Sequence, residues 1–130
     1  MKLPLILALL ATACTAQPAY ARDLGQRLTD MPDEAFATVG AFAADGVLTC
    51  MIVKDGGREA NPLVRPFIGK HPSCGDMALF TVAKSVLFLA GISALQDVDP
   101  KAARTAARLS MLVQGGVVGF NLTVALKGRR

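Results

Sequence analysis

The sequence predicts an all-α integral membrane protein: a three-helix bundle after a signal peptide, with a short interfacial segment between helices 1 and 2. Three observations carry this expectation. Hydrophobic residues make up 52% of the 130-residue chain and charged residues only 18%, an apolar excess suited to a bilayer rather than to a water-facing surface. Three apolar runs, over residues 35–53, 77–95 and 109–126, are each close to the length that crosses a hydrocarbon core of about 30 Å at about 1.5 Å per residue. Within those runs the only full charges are Asp45 and Lys84.

The chain opens with Lys2, an apolar run over residues 3–13, and Ala19-Tyr20-Ala21 ahead of Arg22. A short positive start, a short apolar stretch and an A-x-A site predict a signal peptide over residues 1–21, cut after Ala21. The run is too short to span a bilayer itself. The rival reading is lipoprotein processing at Cys14, after Leu10-Ala11-Thr12-Ala13, where Ala11 stands in place of the bulky residue such a site favours. Either outcome delivers the following residues to the outer side of a bacterial-type inner membrane.

Residues 22–34 form a polar periplasmic lead-in containing Arg22, Asp23, Arg27, Asp30 and Asp33. Thr29 or Asp30 is expected to cap a helix that begins near Pro32, because proline is tolerated in a first turn. In the first span, Ala37, Gly40, Ala41 and Ala44 offer a small-residue face for close packing. Lys54, Asp55, Gly56 and Gly57 end it.

The following loop sets Lys54, Arg58, Arg65 and Lys70 against Asp55 and Glu59. Asn61 can cap a short helix starting at Pro62, whose Leu63, Val64, Phe67 and Ile68 share one face, as in a segment lying among lipid headgroups. Glu59-Ala60-Asn61-Pro62 therefore reads as an interfacial turn. Structurally, Glu59 would pair with Arg58 or Arg65; functionally, this turn could meet a headgroup or a partner protein. Ser73-Cys74-Gly75-Asp76 has the spacing of a capping box at the start of span two. Asp99 and Pro100 are expected to cap and open the third helix, which begins with Lys101, Arg104 and Arg108 among alanines and runs to about Leu126. Gly115-x-x-x-Gly119, with Gly116, reads as a packing face.

The cysteines, Cys14, Cys50 and Cys74, have no C-x-x-C or other ligand spacing, which argues against a disulfide framework or a zinc site. His71 is the only histidine and lies in the loop. No Ser-His, Cys-His or metal-ligand set is present, so the sequence predicts a non-enzymatic protein without cofactor or metal. Basic and aromatic residues do not interleave, so no nucleic-acid partner is expected despite the net charge of +4.

Orientation follows from the leader and the basic residues. A periplasmic N-terminus places Lys54, Arg58, Arg65, Lys70, Lys127, Arg129 and Arg130 inside, against Arg22, Arg27, Lys101, Arg104 and Arg108 outside. The bias agrees with the positive-inside rule and puts the C-terminus in the cytoplasm.

Asp45 and Lys84 each need a partner or a water-filled site inside a membrane. Asp45 lies roughly 12 Å from the inner end of span one and Lys84 roughly 10 Å from that of span two, by helical rise. Adjacent antiparallel spans thus bring them to one depth. Thr49 is one turn after Asp45, and Asn121 falls near the same layer on span three. Asp45, Thr49, Lys84 and Asn121 are the expected intramembrane polar cluster. It can fix helix register, or line a proton, ion or small-ligand pathway.

Asp45-x-x-x-Thr49, Glu59-x-Asn61-Pro62-Leu63 and the lysine at Lys84 together resemble a family of small bacterial membrane proteins classed only as a domain of unknown function. The resemblance covers roughly residues 36–126, and the later helices match mainly in hydropathy. It implies a membrane location and a shared polar core, but no activity. This chain differs in its leader. The functional expectation is an inner-membrane scaffold or regulatory subunit within a larger membrane complex. The alternative is a homo-oligomeric proton, ion or small-ligand pathway that uses Asp45 and Lys84.

Overall fold

The computed structural model describes residues 24–59 and 64–127, and among them every regular element is a helix. The expected signal peptide, Cys14, Arg22, Asp23, Asn61, Pro62, Leu63, Arg129 and Arg130 lie outside the described residues. The helices are α1 (Leu24–Thr29), α2 (Asp33–Lys54), α3 (Arg65–Ile68), α4 (Cys74–Val98) and α5 (Pro100–Lys127). The chain divides after Asp30 into two units, with α1 in the first and α2 to α5 in the second.

In the second unit α2, α4 and α5 are each long and apolar enough to cross a membrane. All three pack against one another, α2 most extensively on α5, while α3 packs on α4. The described part is thus an all-α three-helix bundle of membrane-spanning type. Its outward faces fit that type: Val47, Leu79, Leu87, Leu112, Val113 and Phe120 are all largely exposed, an arrangement suited to a lipid surround.

One end of the bundle is closed by small residues. Ala35, Ala103 and Ala107 are fully buried, joined by Met31 and Ile92, with Phe88, Leu89 and Leu95 packed around them. Alanine at these positions lets α2 and α5 approach closely. Thr38, also fully buried, donates from Oγ1 to the Glu34 carbonyl at 2.8 Å and lies 3.5 Å from the Ala107 carbonyl oxygen. Glu34 and Arg108 add an ion pair at 2.7 Å on the rim.

The expected caps fare differently. Ser73 and Asp76 form a reciprocal capping box at the start of α4. Asp99 Oδ1 accepts from the backbone N–H groups of Lys101 and Ala102, at 2.9 and 3.0 Å. The cap expected from Thr29 or Asp30 is corrected. The residue preceding α2 is Pro32, which has no capping side chain. Thr29 Oγ1 instead donates back to the Gly25 carbonyl, and Asp30 Oδ1 accepts from Gln26 Nε2, so both side chains serve their own short segment.

The expected packing faces are also corrected. An added Cβ at Gly40, Gly115, Gly116 or Gly119 would meet nothing within 4 Å among the described residues, so none of these glycines packs against another of the described helices. The close approach is made at Gly46, where a Cβ would come within 2.6 Å of Thr81 Oγ1.

A third correction concerns the cysteines. Cys50 and Cys74 form a disulfide, with Cα atoms 5.1 Å apart. It joins the last turns of α2 to the first residue of α4 and closes the intervening loop. Such a cross-link contributes about 2–4 kcal/mol by restricting the unfolded chain. Inside the loop, the Glu59 N–H donates to the Lys70 carbonyl at 3.0 Å, and Arg65 Nε donates to the Glu59 carbonyl at 2.6 Å. Gly56 and Gly69 take positive φ of 85° and 86° at its turns, which glycine adopts without steric penalty.

Candidate functional site

At the middle of the bundle the three long helices meet at one carboxylate. Lys84 Nζ, from α4, donates to Asp45 Oδ2 at 3.1 Å. Asn121 Nδ2, from α5, donates to Asp45 Oδ1 at 2.7 Å. A carboxylate only accepts, so the Asn121 amide must present its nitrogen here. Each oxygen of Asp45 is therefore engaged by a different neighbouring span. The Asp45 and Lys84 side chains retain only 15% and 20% of their exposure, so little of either charge is left without protein around it.

Two aromatic rings complete the shell. Lys84 Nζ lies 4.6 Å from the centroid of Phe42 and 5.7 Å from that of Phe80, both within the range of cation–π attraction. Phe42 meets Phe88 edge to face at 5.6 Å, and Phe80 stacks on Phe67 of α3 at 6.1 Å. A chain of contacts thus runs from the loop helix through Phe80 and Lys84 to Asp45. Sequence spacing carries a sign of these rings: Phe42 is three residues before Asp45, and Phe80 four before Lys84, so each shares a helix face with its charge.

Thr49, the remaining member of the expected cluster, is buried at 6% exposure, but the carboxylate is held by Lys84 and Asn121 rather than by its hydroxyl. Gln114 lies elsewhere. It lines a groove of about 290 Å³ with Phe42, Leu109, Ser110 and Val113, and its Nε2 is buried with no hydrogen-bond partner among the described residues. Of the interfacial turn, Glu59 is buried, and its carbonyl is the acceptor for Arg65.

Chemically, the cluster is a charge held by opposite charge, an amide and two ring faces. It links three helices through one carboxylate, each of whose oxygens accepts one hydrogen bond from a neighbouring span. Among the described residues, no group of His, Cys, Asp and Glu is placed to hold a metal ion. No family model, curated protein or solved structure matches the chain.

Proposed function

We propose that the chain is a small non-enzymatic scaffold or regulatory subunit of a larger complex in a bacterial inner membrane. The observation that carries this reading is the engagement of both Asp45 oxygens by Lys84 and Asn121. Two donors from two different helices on one carboxylate tie three spans together, which suits a part whose work is to hold a fixed shape against a partner. The outward glycines of α5, Gly115, Gly116 and Gly119, leave room for a helix of another protein to approach closely. Kinship with the family that shares the Asp45-x-x-x-Thr49 and Glu59-x-Asn61-Pro62 pattern is part of the same proposal, and supplies the shared polar core but no activity.

A second reading is a homo-oligomeric proton, ion or small-ligand pathway. The buried Gln114 Nε2 in the groove beside Phe42, which has no partner among the described residues, is the observation in its favour, because a passing or bound acceptor would satisfy it. Native purification in mild detergent separates the two. The scaffold reading expects a foreign protein at fixed stoichiometry, lost in a Gly119→Leu variant that still folds. A ring of identical copies would support the pathway instead. An isolated single chain, unchanged by Gly119→Leu, would contradict both.

A further inference from the structure

We propose that the loop end of the bundle lies on the oxidising side of its membrane, and that Cys50 and Cys74 are there the substrate of an extracytoplasmic thiol–disulfide oxidant. The proposal rests on the reading of α2, α4 and α5 as membrane spans, but not on the scaffold role.

Cys50 is one turn before the end of α2, and Cys74 is the first residue of α4. Antiparallel neighbours therefore bring both thiols to the same end of the bundle, with Cα atoms 5.1 Å apart, inside the range a disulfide requires. Both residues are half-buried rather than enclosed, so an oxidant can reach them. Disulfides persist in oxidising compartments and are rare where glutathione and thioredoxin keep thiols reduced. A stable Cys50–Cys74 bond thus assigns the loop to the oxidising face and the Asp33 end of α2 to the opposite one.

The chemistry balances through the oxidant's own disulfide. One cysteine thiolate attacks an oxidant sulfur, forming a mixed disulfide and expelling the second oxidant sulfur as a thiolate. The other cysteine thiolate then attacks the mixed bond at the chain's sulfur. The Cys50–Cys74 disulfide forms, the oxidant leaves as a dithiol, and the two cysteine protons end on its two sulfurs.

This assignment opposes the orientation drawn from the leader and the basic residues. That bias compares seven basic residues with five, a margin of two. The proposal sets the disulfide above so small a margin, because disulfides are rare where thiols are kept reduced. It also requires that Arg22 not be delivered to the outer side.

The test labels intact cells with a membrane-impermeant maleimide. The full chain carries Cys14→Ser together with either Arg58→Cys at the loop end or Thr105→Cys at the other end, both exposed positions. A Cys14→Ser chain with only the native pair is the blank. The expected result is labelling of the Arg58→Cys chain, protection of the Thr105→Cys chain until the cells are opened, and a blank that reacts only after reduction. A blank that also gains two adducts without reduction in a host lacking the oxidant adds support. The reverse labelling pattern, or a blank whose thiols are free in the ordinary host, overturns the proposal. Labelling of both engineered positions in intact cells overturns it together with the spanning reading, whereas native purification reports on the scaffold role independently of orientation.

Discussion

A methyl group at Gly46 would meet Thr81 Oγ1 at 2.6 Å and Thr81 Cβ at 3.6 Å, so α2 and α4 touch there through a glycine. Threonine is β-branched and stiff at χ1, so it cannot swing clear without a change of rotamer. Gly46→Ala is expected to destabilise the bundle by about 1–3 kcal/mol, the usual effect of overpacking. Thr81→Ala in the same chain should recover most of that loss, as read by thermal unfolding in detergent. Gly91→Ala, inside α4 at a position with open space, is the control, expected to be unchanged or slightly stabilised. Gly46 was not legible in the sequence, because a single glycine in an apolar run carries no partner information. The Gly115-x-x-x-Gly119 spacing was legible as a motif but turns outward, since spacing shows that a face is flat and not which helix meets it. Asp45, Lys84 and Asn121 were legible because polar groups in apolar runs are few, and helical rise converts their sequence positions into depths.

At the scale of elements, the three spans follow from the lengths of their apolar runs, and their ends follow where a side chain truly caps. The start of α5 is the clearest case: Asp99 Oδ1 accepts from two backbone N–H groups that would otherwise lack a helical partner. Asp99→Ala is expected to cost about 1 kcal/mol and Asp99→Asn much less, measured by thermal unfolding of the purified chain. Equal losses in the two variants would show that the cap is not what matters. The start of α2 departs from the sequence expectation because Thr29 and Asp30 bond within their own short segment, and Pro32 occupies the capping position. The Cys50–Cys74 bond was hidden by its sequence separation of 24 residues. Only when α2 and α4 are set antiparallel do the two thiols reach one end. The same depth argument that pairs Asp45 with Lys84 therefore also brings the cysteines together.

The three-helix bundle is tied at three levels among its described residues: an alanine-lined core at one end, the Asp45 cluster in the middle, and the disulfide-tied loop at the other. Few large side chains are buried, and the apolar surface faces outward, so ordinary hydrophobic collapse does not hold the helices together. In lipid, packing and polar contacts between helices must do so. The central claim is that one carboxylate joins α2 to both α4 and α5. Removing its charge should leave the Lys84 ammonium within the bundle without its counter-ion, a destabilising change for a part-buried pair. The most direct test is a double-mutant cycle on Asp45→Asn and Lys84→Met, read as thermal stability and abundance of the membrane-inserted chain. The account predicts that Asp45→Asn alone is strongly destabilising and that adding Lys84→Met restores part of the loss. Independent, additive losses in the double variant would contradict it.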